Sequence, residues 1–331
     1  LYAAACVREV GYDVALFDAM LAESEAAWEA ALDAHRPRFV VLYEDSFNYL
    51  SKMCLLRMRQ AAFSMVAAAK TRGCTVIVAG SDATDHARQY FASGVDYILI
   101  GEGEATLVEL LDSLSGRRDR ALNQIAGLAW LVGDEITATA DRPFERNLDR
   151  IPFPAWDLVD IPRYRQIWYD RHGYYSMNMV TTRGCPYRCN WCAKPIYGRR
   201  YNSRSPENVV AELKWLKEQF QPDHIWFADD IFGLKPGWIE RFSRLAVAEN
   251  AVVPFKCLQR VDLITEAVAA ALRQAGCRTV WMGAESGSQK ILDAMDKDAT
   301  VEQIYAAARL LHQAGIEVGF FLQFGYPGEA W

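Results

Sequence analysis

Short runs of apolar, β-branched residues alternate with helical stretches along most of the chain, and this alternation limits the possible folds more than any other feature. The runs in the first third of the sequence are Tyr12–Phe17, Phe39–Tyr43, Thr75–Ala79 and Tyr97–Ile100. Helical patterns are found at Ser24–His35, Tyr49–Thr71, Ala83–Ala92 and Ala105–Leu114. This order is typical of a parallel, doubly wound sheet with helices on both faces. Residues 1–115 are therefore predicted to form one such α/β domain, whose first strand lies before Leu1.

A second alternation of strands and helices occupies residues 176–331 and predicts a partial (β/α) barrel. Its strands are expected at Met177–Thr182, His224–Ala228, Val253–Leu258, Thr279–Gly283 and Glu317–Phe324. Residues 116–175, which are rich in proline and aromatic residues, are expected to form a connector. The chain starts at Leu1 and stops at Trp331 just after an apolar run, so we expect it to be truncated at both ends.

Composition narrows the class of protein further. The chain has 331 residues, of which 51% are hydrophobic, enough for sizeable cores. Its net charge of -6 argues against a protein that coats nucleic acid, and its apolar runs are shorter than a membrane-spanning helix needs. Eight cysteines are too dilute for a secreted disulfide scaffold, which favours a reducing compartment such as the cytoplasm.

Three of the cysteines are clustered directly after the first strand of the second alternation. Cys185, Cys189 and Cys192 are spaced by four and three residues. Three thiolates on one tight loop can ligate three irons of a [4Fe-4S] cluster and leave the fourth iron open to an outside ligand. A closed zinc site is the alternative, and it would need a fourth ligand, for which His172 is the nearest histidine in sequence.

This loop resembles that of the radical S-adenosylmethionine (SAM) enzymes, whose hallmark is three cysteines at this spacing with an aromatic residue between the last two. Segments after the second to fifth strands are also similar to that family, namely Phe227–Phe232, Lys256–Asp262, Gly283–Ser288 and Gly325–Glu329. The resemblance implies a [4Fe-4S] cluster on the three cysteines. It also implies SAM contacts at Trp191, Asp229, Asp230, Arg260, Glu285, Ser286 and Gly325.

The residue types suit these contacts. Asp229 or Asp230 could bind the ammonium group of SAM, and Arg260 could bind its carboxylate through a two-pronged guanidinium contact. Glu285 or Ser286 could bind ribose hydroxyls.

Each candidate also has a purely structural alternative. The two aspartates could cap a helix, Arg260 could form a surface ion pair with Asp262, and Trp191 could simply pack. Glu285 and Ser286 could begin the helix that follows them, and Cys257 is either a buried apolar residue or a reactive thiol near the strand ends.

Glycine-rich turns in the first domain are similar to those of the cobalamin-binding, Rossmann-like domain that precedes the barrel in B12-dependent radical SAM enzymes. Gly80–His86 and Gly101–Glu104 each follow a predicted strand and open a helix. The resemblance implies cobalamin contacts at Ser46, Gly80, Ser81, Asp82, Ala83, Gly101, Glu102 and Gly103. Asp45 or Ser46 could instead cap the following helix, and His86 is expected at a helix start, away from the cobalt.

The resemblance implies a B12-dependent radical SAM enzyme that cleaves SAM reductively at a [4Fe-4S] cluster and transfers a methyl group from methylcobalamin to an unactivated carbon. Its substrate would be a small molecule or a peptide, and its reductant a flavodoxin or ferredoxin. Three alternatives stay open: a radical SAM cyclase or rearrangement enzyme without methyl transfer, an N-terminal domain that binds a partner instead of cobalamin, and a non-enzymatic iron–sulfur electron carrier.

Overall fold

The computed structural model describes residues 1–43, 55–193 and 196–329. These residues form two compact units. The first contains Leu1–Phe144 and Ile151–Val159, and the second contains Glu145–Arg150 and Asp160–Trp331. No helix among the described residues is both long and apolar enough to span a membrane.

The bounds of the regular elements follow in chain order. The helices are α1 (Tyr2–Glu9), α2 (Ala26–His35), α3 (Leu55–Thr71), α4 (Ser81–Asp85), α5 (Ala87–Ala92), α6 (Glu104–Leu114), α7 (Ile161–His172), α8 (Pro206–Phe220), α9 (Trp238–Ala248), α10 (Glu266–Gln274), α11 (Gln289–Ala294) and α12 (Val301–Gln313). The strands are β1 (Phe39–Tyr43), β2 (Thr75–Ala79), β3 (Tyr97–Leu99), β4 (Leu128–Val132), β5 (Glu135–Ala138), β6 (Ser176–Met179), β7 (Thr182–Arg183), β8 (Asn202–Ser203), β9 (His224–Phe227), β10 (Phe255–Gln259), β11 (Cys277–Glu285) and β12 (Glu317–Leu322).

The first unit is built on a five-stranded sheet with the order β1-β2-β3-β4-β5. Strands β1, β2 and β3 are parallel, and β4 and β5 are antiparallel additions. Alternate side chains of β2 belong to the hydrophobic cores on the two faces of the sheet. Val76 and Val78 pack with Trp28, Leu32 and other side chains on one face. Ile77 and Ala79 pack on the opposite face with side chains from α1 and α6. The four consecutive apolar residues at positions 76–79 of β2 are thus explained by helices on both faces of the sheet.

Two sequence expectations differ from the structure in this unit. Residues 12–17 are not a strand, although Tyr12 and Val14 pack against one core and Phe17 against the other. Their alternating apolar side chains satisfy a strand pattern without any ladder of hydrogen bonds, which periodicity alone cannot distinguish. The segment expected to be a connector also contributes β4 and β5 to the first sheet, because its apolar residues Leu128 and Ala129 pair with β3.

The second unit contains five parallel strands in the order β12-β11-β10-β9-β6. They form an open sheet in the described residues, and no closed barrel is seen there. One face is covered by helices and filled by aromatic rings, among which Phe227, Phe232, Phe242 and Phe255 lie within 6.2 Å of one another, centroid to centroid. This packing fixes the strands whose carboxyl ends carry the polar residues described next.

Several helices in this unit begin at N-terminal capping residues. Ser205 accepts a hydrogen bond from the Asn208 amide and precedes Pro206, so α8 begins there. Thr265 caps α10 in the same way, and Thr300 with Gln303 forms a reciprocal capping box at the start of α12. These caps set where each helix begins and therefore how each loop leaves the carboxyl edge of the sheet.

Candidate functional site

The three clustered cysteines lie on one loop at the carboxyl edge of the second sheet. The loop follows β6 and the short strand β7. Cys185 is half-buried, Cys189 is buried and Cys192 is exposed, and none of them forms a disulfide. The loop therefore offers three thiol sulfurs, the donor type that iron–sulfur clusters select.

The three thiols do not converge on a single point in the described structure. Within the described parts of the chain, no three His, Cys, Asp or Glu side chains converge closely enough to hold one metal ion. A [4Fe-4S] cluster distributes its thiolate ligands over separate irons, so its ligands need not converge on one point. His172, the alternative zinc ligand, lies in the last turn of α7 with its ring 5.0 Å from that of Trp168.

The base of the cysteine loop is closed by a two-stranded ladder. Thr182 of β7 pairs with Ser203 of β8, and Arg183 pairs with Asn202. Gly184 follows with a φ of +82°, and a Cβ at this position would lie 2.3 Å from the Arg200 carbonyl oxygen. Only glycine fits this approach, so the sequence Arg183-Gly184-Cys185 is held tightly against the returning end of the loop.

Asp229 anchors the first residues of the loop from the end of β9. Its carboxylate accepts hydrogen bonds from the Thr181 amide at 2.7 Å, the Thr181 hydroxyl at 2.6 Å and the Thr182 amide at 2.9 Å. The residue is 1% exposed, and burial raises its pKa to about 6, although the bonds from Thr181 and Thr182 act in the opposite direction. Asp229 is thus neither a helix cap nor an exposed group, because its oxygens accept from two backbone amides and one hydroxyl at the start of the cysteine loop.

Arg260 lies at the end of β10 and is enclosed by protein. Its Nε donates to Asp262 at 2.8 Å, and its Nη2 donates to the carbonyl oxygens of Lys297 at 2.8 Å and Asp298 at 3.0 Å. Its guanidinium carbon lies 3.5 Å from the ring centroid of Tyr187, which belongs to the cysteine loop. The ion pair with Asp262 exists, with Arg260 buried and Asp262 half-buried.

Glu285 forms a buried ion pair that the sequence did not predict. Its Oε1 lies 2.7 Å from Lys297 Nζ, and the two residues are 5% and 6% exposed. Glu285 also has a φ of +61° at the end of β11, a left-handed conformation that costs a side chain about 1 kcal/mol. A Cβ at Gly283 would lie 2.6 Å from the Lys297 ammonium, so the absence of a side chain there gives the pair its space.

A second set of contacts joins the cysteine loop to the C-terminal end of α11. The Asn190 amide donates to the Met295 carbonyl at 3.1 Å, and its side-chain Nδ2 donates to the Ala294 carbonyl at 2.8 Å. The Tyr326 hydroxyl lies 2.8 Å from Asn190 Oδ1 and 2.9 Å from the same Ala294 oxygen. Carbonyls at a helix end have no partner within the helix, so these donors satisfy groups that would otherwise lack one.

The other predicted SAM contacts lie at the same edge with different exposures. Asp230 and Gly325 are exposed, and Trp191 is 41% exposed on the cysteine loop. Ser286 is buried, and its hydroxyl accepts a hydrogen bond from the Ser288 amide at 3.2 Å. Cys257 is buried in the sheet, and burial raises the pKa of its thiol well above the usual value, which argues against a reactive role.

The predicted cobalamin contacts lie at the carboxyl edge of the first sheet, except Ser46, which is outside the described residues. Gly80 follows β2 with a φ of 150° and a ψ of 164°, a region essentially confined to glycine. Gly101, Glu102 and Gly103 follow β3, and a Cβ at Gly103 would lie 2.8 Å from the Tyr43 hydroxyl. Three glycines thus lie at this edge, and one of them, Gly103, is packed against Tyr43.

Two of those predicted contacts are directed into the first unit instead. Ala83 is fully buried, and Asp82 is 4% exposed. The Asp82 carboxylate accepts hydrogen bonds from the Arg59 guanidinium and, at 2.8 Å, from the Tyr90 hydroxyl. Asp82 joins α3 to the α4–α5 segment, a contact between distant residues that the glycine-rich turn alone does not reveal.

The structure adds four residues that sequence reasoning missed, all of them at the edge that carries the cysteines: Tyr187, Asn190, Lys297 and Tyr326. Lys297 is the one cation in the run Asp293–Asp298, which contains three aspartates, and that isolation was a usable signal. The other three showed no signal, because their partners lie more than 30 residues away in sequence.

The fold and this site define an α/β protein whose second sheet carries a thiol-rich loop at its carboxyl edge, and comparisons with known proteins agree. Residues 179–331 match the model of the radical SAM superfamily. The predicted resemblance is confirmed: residues 179–331 carry the radical SAM domain, and the solved structures similar to this chain include cobalamin-dependent members of the superfamily.

Curated relatives match the chain over both units. An uncharacterised methyltransferase of Pyrococcus horikoshii is 32% identical over 237 residues, which are 71% of this chain and 50% of that protein. Hopanoid C-3 methylase of Methylococcus capsulatus is 27% identical over 96% of this chain and 58% of its own length. The anaerobic magnesium-protoporphyrin IX monomethyl ester cyclase of Synechocystis is 28% identical over 67% of this chain and 44% of its own length. The chain thus spans about half the length of these relatives.

A solved structure has the same fold over nearly the whole chain. The cobalamin-dependent SAM radical enzyme OxsB, with aqua-cobalamin bound, superposes with a TM-score of 0.79 at 21% identity. The match covers 97% of this chain and 46% of OxsB. The likeness therefore includes both compact units.

Proposed function

We propose that this chain is the cobalamin- and SAM-binding part of a B12-dependent radical SAM methyltransferase. The observation that carries the proposal is the placement of three thiols on one loop beside the buried Glu285–Lys297 pair, at the carboxyl edge of a parallel sheet. The match of both units to hopanoid C-3 methylase and to OxsB supports the same assignment. In this proposal residues 1–115, with β4 and β5 added from residues 116–175, form the cobalamin domain, and residues 176–331 form the radical SAM domain.

Cys185, Cys189 and Cys192 would hold the [4Fe-4S] cluster. When bound, the reduced cluster supplies the electron that cleaves SAM, and methylcobalamin supplies the methyl group for an unactivated carbon. The residues around the loop have a simpler task. Asp229 fixes Thr181 and Thr182, Gly184 permits the tight turn, and Asn190 holds the middle of the loop on α11.

The methionine end of SAM would be recognised by separate charges at this edge. Asp230 is exposed at this edge and would face the ammonium, and Asp229 would support the start of the cysteine loop through its bonds from Thr181 and Thr182. Arg260 already donates to Asp262 and to two carbonyl oxygens. Lys297 is the alternative cation for the carboxylate of SAM, and it would be shared between that carboxylate and its partner Glu285. Glu285 and Ser286 remain the candidates for the ribose, with Trp191 and Gly325 nearby on loops of the same edge.

Cobalamin would bind the carboxyl edge of the first sheet. Gly80, Ser81, Gly101, Glu102 and Gly103 are placed where doubly wound folds bind their ligands. Asp82 and Ala83 would support the turn from inside, since both are buried. A flavodoxin or ferredoxin would serve as reductant, and the thiols and oxygen-sensitive cluster suit the cytoplasm.

Anaerobic reconstitution of the full-length protein with iron, sulfide and hydroxocobalamin tests the proposal. We expect a corrin absorbance that persists after desalting, and 5'-deoxyadenosine formation on reduction with SAM. The triple variant Cys185→Ala, Cys189→Ala, Cys192→Ala should form no 5'-deoxyadenosine, whereas Cys6→Ala, at a half-buried cysteine of α1, should behave like the wild type. SAM cleavage without retained corrin would overturn the cobalamin assignment, and no SAM cleavage would overturn the enzyme assignment.

A cyclase is the second candidate, and its support is the similarity to the magnesium-protoporphyrin IX monomethyl ester cyclase of Synechocystis. The two activities differ in the mass of the product. Methyl transfer replaces one hydrogen of the substrate by a methyl group, whereas closing a ring between two C–H carbons removes two hydrogens and adds no methyl group. Labelled methyl-SAM separates them, because only a methyltransferase passes the label to its product.

A further inference from the structure

The structure assigns Arg260 to a task that differs from binding the SAM carboxylate. We propose that Arg260 is a positioning residue that holds the cysteine loop against the α11–α12 connector, defined as residues 295–300, and so fixes the cysteines relative to the Glu285–Lys297 pair. The inference rests on the proposed function for its ligand, but its structural part stands on contacts within the described residues.

The first observation is that the guanidinium of Arg260 already has hydrogen-bond partners within the protein. Arg260 is 5% exposed and donates hydrogen bonds to Asp262, Lys297 and Asp298. Both carbonyl acceptors belong to the connector, whose residues Asp296 and Asp298 have φ values of 50° and 51°. A connector with two left-handed aspartates needs outside contacts to keep its shape, and Nη2 of Arg260 provides two of them while Nε is held by Asp262.

The second step is the contact with the cysteine loop. The Arg260 guanidinium carbon lies 3.5 Å from the ring centroid of Tyr187, two residues after Cys185 and two before Cys189. The Tyr187 hydroxyl lies 3.4 Å from Asp262, which also accepts from Arg260. One side chain therefore contacts the loop through its face and the connector through its edge. A guanidinium can do both at once, whereas a lysine ammonium cannot.

The third step is the consequence for the site. Lys297 belongs to the connector, and its ammonium lies 2.7 Å from Glu285. The Asn190 amide in the cysteine loop donates to Met295 of the same connector. Arg260 and Asn190 thus clamp loop and connector together from two sides, so that a ligand recognised by Lys297 would meet the cysteines at a fixed distance.

Amide hydrogen exchange of the full-length apoprotein tests the clamp without any cofactor. The Asn190 and Lys297 amides, which donate to Met295 and Leu292, are the reporters. In Arg260→Lys the charge remains but the fork is lost, and we expect both amides to exchange about tenfold faster than in the wild type. Tyr187→Leu should have the same effect at Asn190, and Tyr187→Phe, which keeps the ring, should not. Arg241→Lys, at an exposed arginine paired with Glu207, is the matched control.

SAM binding to the anaerobically reconstituted protein separates positioning from direct contact. Under the proposal, Tyr187→Leu weakens SAM binding about as much as Arg260→Lys does, on the order of tenfold, because both release the loop. If Arg260 contacted the carboxylate directly, Tyr187→Leu would leave SAM affinity unchanged. That result, or unchanged exchange in Arg260→Lys, or Asn190 and Lys297 amides already unprotected in the wild type, overturns the positioning role. A wild type that binds no SAM overturns the proposed function, while the exchange experiment still decides the clamp.

Discussion

At the residue scale, Asp229 combines complete burial with three hydrogen bonds to the start of the cysteine loop. Burial raises its pKa from the ordinary 3.8 to about 6. Between these values the folded chain keeps a proton that the unfolded chain releases. The protonated group therefore contributes stability in full below pH 4, and that contribution is lost as the pH rises through about 6.

Asp229→Asn should remove this dependence on pH. The free energy of unfolding of the wild type minus that of the variant is expected to fall by about 3 kcal/mol between pH 4 and pH 7, because two pKa units correspond to this energy. Urea unfolding of the apoprotein at a series of pH values measures it. Asp230→Asn, at the exposed neighbouring position, serves as control. A difference that stays constant over this range would contradict the argument.

The second prediction at this scale concerns the stability that the Glu285–Lys297 pair provides, since both residues are almost completely buried. Lys297→Met leaves the Glu285 carboxylate buried without its cation, and we expect a loss of about 3 to 5 kcal/mol in the free energy of unfolding. Adding Glu285→Leu should restore at least half of that loss, because no unpaired charge remains.

The exposed pair Lys214–Glu249, with an N···O distance of 3.0 Å, provides the comparison. Lys214→Met should change the free energy of unfolding by less than about 1 kcal/mol. A double variant as unstable as Lys297→Met alone would show that packing, not charge, dominates the buried pair.

At the scale of elements, the cysteine loop depends on the ladder between β7 and β8 and on the glycine that follows β7. Gly184 and Gly198 both have positive φ values, of +82° and +61°, and both lie in the loop. They differ in surroundings, since a Cβ at Gly184 would meet the Arg200 carbonyl at 2.3 Å and a Cβ at Gly198 would meet nothing within 4 Å. Comparing alanine variants at these two positions therefore distinguishes the effect of backbone strain from that of a steric clash.

Gly184→Ala is expected to open the base of the loop and to lower the iron bound after reconstitution to about half of the wild-type value or less. Gly198→Ala carries a similar strain of about 1 kcal/mol but no clash, so its iron content should stay close to that of the wild type. Iron and sulfide analysis after desalting measures both variants. Equal iron loss in the two would assign the effect to strain and not to the contact with Arg200.

Elements were easier to predict from sequence than contacts between them. The bounds of β1 and β2 match the apolar runs residue for residue, because buried strands concentrate β-branched residues between turns. Residues 12–17 show the limit, since their pattern satisfies a strand that has no partner in the structure. The positions of Arg260 and Glu285 at strand ends followed from the pattern. Their partner Lys297 did not, because it depends on how a connector 12 residues beyond Glu285 folds back.

At the scale of the whole molecule, the candidate groups for the two cofactors lie in different compact units. The thiols belong to the unit of Asp160–Trp331, and the glycine turns belong to the unit of Leu1–Phe144. Each unit has its own sheet, and the first has a core on either side of that sheet. Loss of one cofactor should therefore be separable from loss of the other.

The separation is testable with one set of variants in each unit. The triple cysteine variant should lose its iron and keep bound corrin, because its changes lie in the second unit only. Gly103→Ala should do the reverse: its Cβ would lie 2.8 Å from the Tyr43 hydroxyl and narrow the edge of the first sheet. We expect its corrin content to fall about fivefold while iron stays at the wild-type value. Gly116→Ala, with nothing within 4 Å of its Cβ, is the control. Joint loss of corrin and iron in either variant would contradict the assignment of one cofactor to each unit.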